Sequence, residues 1–131
     1  MMASIHHEIF LDVPVEKAWA ALREVGSAHR LFAGVLTDGH LDGDVRTVSF
    51  ANGLVVREQI LDIDEADRRL AYAVIDNVFD HHSASMQIFA AGNGRSRFVW
   101  ITDFLPAPKA AMVRPLVEQG SAAMKRVLES T

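Results

Sequence analysis

The sequence predicts an α+β domain in which a seven-stranded antiparallel sheet curves around one long C-terminal helix. Turn signals recur at short intervals through the middle of the chain, at residues 42–43, 52–53, 64–67 and 92–94. Strand-like runs lie between these turns, and strands joined so tightly form an antiparallel meander. One long helical segment remains, at the C-terminus, and it is the element able to cover the apolar face of such a sheet.

The first part of the chain predicts one strand, over 5–11, and two short helices between it and the meander. Asp12 is expected to cap the first helix, with Pro14 in its first turn. Ser27 is expected to cap the second helix, which should end near residue 33. The apolar stripe of the first helix consists of Val15, Ala18, Trp19 and Leu22.

The remaining strands are predicted over 35–41, 44–51, 54–63, 68–76, 81–90 and 95–105, and the long helix over about 108–129. Pro108 suits the first turn of this helix, and Pro115 and Gly120 should bend or soften it. A curved sheet around a single helix leaves a gap, because one helix cannot fill the concavity. We expect the ligand site in this gap.

Length, charge and composition exclude several classes of function. The 131 residues suffice for a single domain, 1–131, and are too few for two. A net charge of -4 without any Lys/Arg run argues against nucleic acid as a partner. The chain has no cysteine, no basic segment followed by an apolar run at its start, and no apolar stretch of membrane-spanning length. A cytoplasmic protein without membrane insertion is therefore expected.

The six histidines do not predict a metal site. His6-His7 and His81-His82 are adjacent pairs on strands, so the members of each pair point to opposite faces of the sheet. No H-x-H or H-E-x-x-H motif occurs. We expect no metal and no other cofactor.

The side chains that face the gap follow from the two-residue period of each strand. The segment HHSASMQIF shows this most clearly, since His82 begins an apolar series that continues with Ala84 and Met86. In the strand over 95–105 the same rule places Trp100 inside. A bulge would place the neighbouring apolar residues there instead, so Val99 and Ile101 remain the alternative.

One stripe of the C-terminal helix is expected to face the sheet, made of Met112, Leu116, Gly120, Ala123 and Val127. The small residues Gly120 and Ala123 leave room for a ligand or, equally, allow close packing of the helix on the sheet. The residues predicted to line the gap are Arg46, Val48, Phe50, Val56, Glu58, Tyr72, Val74, His82, Ala84, Met86, Trp100, Thr102, Leu116, Gly120 and Ala123.

Arg46, Glu58, Tyr72 and His82 are polar groups on an otherwise apolar face, where burial is costly unless they find partners. Arg46 and Glu58 could pair near the mouth of the gap, while Tyr72 and His82 bond to backbone groups. Alternatively, the group orients the polar part of a ligand. A third interpretation makes Glu58, Tyr72 and His82 catalytic acids and bases, since histidine titrates near neutral pH. His82 is expected at the rim of the cavity.

Five segments carry a resemblance to a known family: IFLDVPVEKAWAAL, GDVRTVSF, VVREQILDID, RRLAYAV and FVWITDFLP. In order and spacing they resemble the SRPBCC (START/birch-pollen-allergen-like) superfamily over nearly the whole chain. The Trp-x-x-Asp-Phe of the last segment, Trp100 to Phe104, is most similar to the polyketide cyclase/dehydrase-like branch. The resemblance implies a helix-grip fold, which agrees with the order of elements predicted above.

For function, the resemblance implies binding of a hydrophobic or amphipathic small molecule, lipid- or polyketide-like, between the sheet and the C-terminal helix. The alternative is a polyketide cyclase or dehydratase that uses acid–base residues in the same cavity, because some members catalyse such reactions and a fold alone does not fix chemistry. Members occur as monomers or dimers. Related receptors close the pocket with two loops, here 51–53, which is too short for a large lid, and 77–81, which could act as a gate.

Overall fold

The computed structural model describes residues 1–130, and Thr131, the last residue of the predicted domain, lies outside them. The predicted helix-grip fold is confirmed. The strands are β1 (Ala3–Leu11), β2 (Leu36–Asp42), β3 (Val45–Phe50), β4 (Val55–Asp64), β5 (Arg69–Val74), β6 (His81–Gly92) and β7 (Arg95–Leu105). The helices are α1 (Val15–Leu22), α2 (Ala28–Leu31) and α3 (Ala110–Glu129), with single 3-10 turns at Val25–Ser27 and Ala107–Lys109.

All seven strands form one antiparallel sheet in the order β1-β7-β6-β5-β4-β3-β2. Strands β2 to β7 therefore make the predicted meander, and β1 adds to its far edge. The register of β7 is regular against both neighbours from Ser96 to Phe104, so no bulge reverses its faces there. Trp100 lies on the inner face, whereas Val99 is buried on the outer face between Glu8 and Gln87.

The predicted cap of α1 is wrong. Pro14 occupies the N-cap position without a side-chain hydrogen bond, and its carbonyl accepts the Ala18 N–H at 3.3 Å. Asp12 lies too early in the chain and instead donates its backbone N–H to Glu129 Oε2 at 2.8 Å, which ties the start of α1 to the end of α3. Ser27 stands at the N-cap of α2 but makes no capping bond with its side chain.

Helix α3 begins two residues later than predicted, at Ala110 instead of 108, and is continuous across Pro115. Its buried face is displaced by about one residue from the predicted stripe. Met112, Leu116 and Val127 are only half-buried, whereas the buried side chains include Val113, Val117, Met124 and Leu128. Both rows repeat every three or four residues, so the helical period alone does not distinguish them.

The core consists of the inner face of the sheet, the stripe Val15, Ala18, Trp19 and Leu22 of α1, and the buried face of α3. Helix α3 lies closest to β1, and α2 covers parts of β2 and β3, so among the described residues no helix packs closely on β4 and β5. This arrangement places open space beneath the middle of the sheet. Within residues 1–130, no helix combines the length and apolarity needed to cross a membrane.

Candidate ligand cavity

A cavity lies between the inner face of the sheet, α2 and the N-terminal half of α3. The volume open to the centre of a water-sized sphere is about 90 Å³. One water needs roughly 10–15 Å³ on this measure, so the space exceeds that of a single bridging water. The predicted lining residues lie around this cavity, with two exceptions, Ala84 and Ala123.

The two exceptions are small side chains that do not reach the cavity. Ala84 pairs across the sheet with Tyr72 and Thr102, whose longer side chains reach the open space. Ala123 lies almost one turn beyond Gly120 and is completely buried. At Gly120 itself, an added Cβ would stand 3.0 Å from Trp100 Cζ3, so close packing against the tryptophan explains this glycine as well as room for a ligand does.

Several lining residues were missed by the sequence reasoning. From α3 these are Val113 and Val117, which belong to the buried row adjacent to the predicted stripe, and Met112, which was on that stripe but not among the predicted lining residues. The loop between β5 and β6 contributes Val78 and Phe79, for which no periodicity gives a signal. The others come from α2, the start of β2 and the β3–β4 turn: Ala28, Phe32, Val35, Leu36 and Leu54.

Arg46 and Glu58 form a buried ion pair. They stand opposite each other in the register of β3 and β4, and Arg46 Nε donates to Glu58 Oε1 at 2.7 Å. The two residues are only 4% and 7% exposed, so the pair lies deeper than the expected position near the mouth. Arg46 Nη1 also donates to the carbonyl of Val25 at 3.4 Å, and the guanidinium lies 5.0 Å from the centre of the Tyr72 ring.

Tyr72 is held by a side chain and not by the expected backbone partner. Its hydroxyl oxygen accepts a hydrogen bond from Trp100 Nε1 at 3.1 Å. Burial raises the pKa of the Tyr72 hydroxyl, and the nearby negative charge of Glu58 raises it further. The hydroxyl therefore keeps its proton, and among residues 1–130 no acceptor for that proton is present.

His82, expected at the rim of the cavity, is buried, at 8% exposed. Its Nδ1 accepts the backbone N–H of Val74 at 3.0 Å, so the neutral ring carries its hydrogen on Nε2, which faces Thr102 Oγ1 at 3.2 Å. The ring of Phe79 covers it at a centroid distance of 4.9 Å. Burial, with a smaller contribution from His81, lowers the pKa of His82 to about 4. Titration near neutral pH is therefore wrong for this residue.

The three residues predicted for catalysis lie close together, with the rings of Tyr72 and His82 5.8 Å apart. In this arrangement each is engaged elsewhere: Glu58 by Arg46, and His82 through both ring nitrogens. Tyr72 retains its proton for the reasons given above. Their catalytic role stays a prediction, and the geometry is that of a polar patch that can orient a ligand.

The other histidines give no metal site in the part of the chain described. No group of three or more His, Cys, Asp or Glu side chains there could hold a metal ion. On β1, His6 is exposed while His7 is half-buried, as expected for neighbours on opposite faces of the sheet. His7 does not reach the cavity lining.

Solved structures share this fold at low sequence identity. An uncharacterized protein from Bacillus thuringiensis matches with a TM-score of 0.86 at 15% identity, covering 96% of this chain and 98% of its own. The protein XoxI from Bacillus cereus also gives 0.86 at 15% identity, covering 96% and 95%. A norcoclaurine synthase point mutant from Thalictrum flavum, in complex with a transition-state analogue, gives 0.76 at 16% identity, covering 99% and 96%.

These similarities establish the fold, since the identities are too low to carry a function. A comparison with curated proteins found no match. The family model described as polyketide cyclase / dehydrase and lipid transport matches residues 2–130, almost the full length of the sequence. The chain belongs to this polyketide cyclase/dehydrase and lipid transport family.

Proposed function

We propose that the protein binds a small amphipathic molecule in the cavity between the sheet and α3. The observation that carries this is the cavity itself, which has apolar walls and a few polar groups gathered in one patch around Tyr72. Protein interiors are normally packed to the density of organic crystals, so open space of this kind costs dispersion contacts. A ligand of matching shape restores those contacts, which gives the cavity a binding function.

The size of the space favours a compact ligand. The volume open to the centre of a water-sized sphere is only about 90 Å³, so the cavity can enclose a ring-sized group but not the whole of a long acyl chain. Norcoclaurine synthase, which shares the fold, was solved in complex with dopamine and hydroxybenzaldehyde, both one-ring molecules. A ring-bearing or short-chain ligand is therefore the class proposed within the lipid- and polyketide-like range.

We favour ligand binding over acid–base catalysis, because no residue of the polar patch is placed to release or accept a proton near neutral pH. A general acid or base works best with a pKa near the operating pH. His82, with a pKa of about 4, is neutral at pH 7 and uses both ring nitrogens in hydrogen bonds. A cyclase or dehydratase activity would need a rearrangement of these partners. The cytoplasmic location, the lack of a cofactor and the monomeric or dimeric state remain predictions from the sequence.

The experiment is a calorimetric titration of the protein with one- and two-ring aromatic ketones, compared with a variant whose cavity is filled. Leu116→Trp places a larger side chain at the cavity wall and should abolish binding while the fold persists by circular dichroism. The matched control is Val55→Trp, because Val55 is exposed on β4 away from the cavity. Binding retained by Leu116→Trp, or no binding by the unmodified protein, would contradict the proposal.

A further inference from the structure

The polar groups of the cavity satisfy almost all of one another's hydrogen bonds. Glu58 accepts a hydrogen bond from Arg46, and the Tyr72 hydroxyl oxygen accepts one from Trp100. His82 accepts the backbone N–H of Val74 at Nδ1, and its Nε2 contacts the hydroxyl of Thr102. Within residues 1–130 the hydroxyl hydrogen of Tyr72 has no acceptor, and Nη2 of Arg46 makes no hydrogen bond. Tyr72 is 4% exposed but lines the cavity, so an acceptor for its hydroxyl has to lie within the cavity, either a water or a ligand oxygen. A buried donor without an acceptor is costly, and a ligand oxygen would remove that cost.

The charges of the cavity cancel within the protein. Its titratable lining residues are Arg46, Glu58, Tyr72 and His82. The positive charge of Arg46 is matched by Glu58 at 2.7 Å. His82 is neutral because its Nδ1 accepts a hydrogen bond, and the tyrosine hydroxyl is neutral as well. A charged ligand would find no counter-charge that is not already used.

We infer that the cavity selects uncharged ligands that carry an acceptor oxygen, such as a carbonyl, which receives the hydrogen of the Tyr72 hydroxyl, and that it rejects the corresponding carboxylates. This inference rests on the proposed binding function and specifies its ligand class. A carboxylate that reached Arg46 would bring a second negative charge beside Glu58, which already matches the guanidinium, and elsewhere in the cavity it would remain buried without a counter-charge; both are unfavourable. A hydrocarbon of the same shape would fill the space but leave the hydroxyl without an acceptor.

The test compares a ketone, a hydrocarbon and a carboxylate of similar shape, in two sizes. The one-ring set is acetophenone, ethylbenzene and benzoate, and the two-ring set is methyl naphthyl ketone, ethylnaphthalene and naphthoate. Dissociation constants are measured by titration calorimetry. In at least one size, the ketone should bind about three- to tenfold tighter than the hydrocarbon, as one hydrogen bond provides. The carboxylate should bind more than about tenfold weaker than the ketone. A hydrocarbon equal to the ketone, or a carboxylate as tight as the ketone, would overturn the inference.

Tyr72→Phe tests the donor directly. The phenyl ring keeps the cavity wall but lacks the hydroxyl, so the ratio of ketone to hydrocarbon affinity should fall to about one. The ratio is the measured quantity, because loss of the acceptor for Trp100 affects both ligands alike. A ratio that stays at the value of the unmodified protein would assign the ketone's advantage to another group and overturn the role of Tyr72.

Glu58→Gln tests the charge balance, because it leaves Arg46 with an unmatched positive charge. The affinity for naphthoate should rise by about tenfold or more relative to the affinity for the ketone. The control is Glu8→Gln, which removes the same charge from an exposed residue paired with Arg97 on β7, away from the cavity. An unchanged ratio of naphthoate to ketone affinity in folded Glu58→Gln would overturn the charge argument. If this variant does not fold, the comparison of ligands on the unmodified protein still tests the inferred selectivity against carboxylates.

The same titrations separate the two proposals. Binding of all three ligands with equal affinity would keep the cavity as a binding site and overturn the selectivity. Failure of every ligand in both sizes to bind would overturn the binding function itself, and the inference with it.

Discussion

The two halves of α3 face very different surroundings, although they belong to one helix and one sheet. In the C-terminal half, Met124 and Leu128 join Phe98 and Leu11 in a fully packed cluster. In the N-terminal half, Met112, Val113, Leu116, Val117 and Gly120 line the cavity. The difference follows from where the helices lie: α1 packs on β6 and β7 near the packed half, whereas within residues 1–130 no helix packs closely over β4 and β5.

This comparison shows that the cavity is a property of the arrangement and not of unusually small side chains. The cavity wall carries phenylalanine, tryptophan and methionine, whereas the packed region around the C-terminal half of α3 contains the small residues Ala18 and Ala123. The polar residues are also unevenly divided, since the buried pair Arg46 and Glu58 lies at the cavity. The packed core and the cavity that we propose as the binding site thus lie at opposite halves of α3, and substitutions should separate stability from binding.

The largest expected effect is the contrast between Met124→Ala and Leu116→Ala. Met124 is completely buried in the packed half, so its truncation should lower the free energy of unfolding by about 2–5 kcal/mol. Leu116 is half-buried and already faces open space, so the same truncation there should cost about 1 kcal/mol or less. Urea unfolding followed by tryptophan fluorescence measures both values. Equal losses in the two variants would show that the N-terminal half is packed as tightly as the other.

The second effect is a loss of stability in mild acid caused by His82, the buried histidine on β6 that lines the cavity. Its pKa is about 4 in the folded protein, against about 6.5 in an unfolded chain. As the pH falls below 6.5, the unfolded chain binds the proton first, so the free energy of unfolding decreases until the pH reaches the folded value. The total loss should be on the order of 3 kcal/mol between about pH 6.5 and pH 4.

His82→Asn isolates this contribution, because the amide oxygen can still accept the Val74 N–H but does not titrate. The measurement is urea unfolding at a series of pH values, where this variant should show a smaller slope over that range. His40→Asn, at an exposed histidine on β2, is the control and should keep the slope of the unmodified protein. A slope unaffected by His82→Asn would mean that water or a charge reaches the ring.

The fold and the buried stripe of α1 were largely predictable from sequence, because local signals specify them. Tight turns predict the meander and the helical period predicts the stripe of α1, whereas the inner face of β7 follows from its period only because the strand has no bulge there. The chemistry of the cavity depends on groups that meet only after folding. Burial keeps His82 neutral, and the groups that enclose and hold the ring, the N–H of Val74, Thr102 and the ring of Phe79, come from three separate segments.

The buried row of α3 shows a second limit of sequence reasoning. The predicted stripe beginning at Met112 and the buried row beginning at Val113 have the same period and similar apolar content. Which of them faces the sheet depends on how the helix rotates against β1, where Val113 and Val117 pack with Ile5 and Phe104. That rotation is a tertiary property, so no analysis of the helix alone could fix it.

The smallest effect on stability is expected at Gly120, at the boundary between the two halves. An added Cβ would lie 3.0 Å from Trp100 Cζ3, so the indole ring must shift. Because Trp100 lines the cavity, the ring has open space to move into, and alanine improves helix propensity by about 1 kcal/mol. Gly120→Ala should therefore change the free energy of unfolding by less than about 1 kcal/mol but weaken ketone binding, because the ring then occupies part of the cavity.

Trp100→Phe provides the matched background for this measurement, since the smaller ring removes the atoms nearest to the added Cβ. In that background Gly120→Ala should raise the free energy of unfolding by about 1 kcal/mol and leave ketone affinity unchanged. Calorimetry and urea unfolding on the four variants of the cycle give both quantities. A loss above about 3 kcal/mol for Gly120→Ala alone would mean that Trp100 cannot move into the cavity. The boundary would then be as rigid as the packed half, and the cavity would have to accept its ligand without any adjustment of this wall.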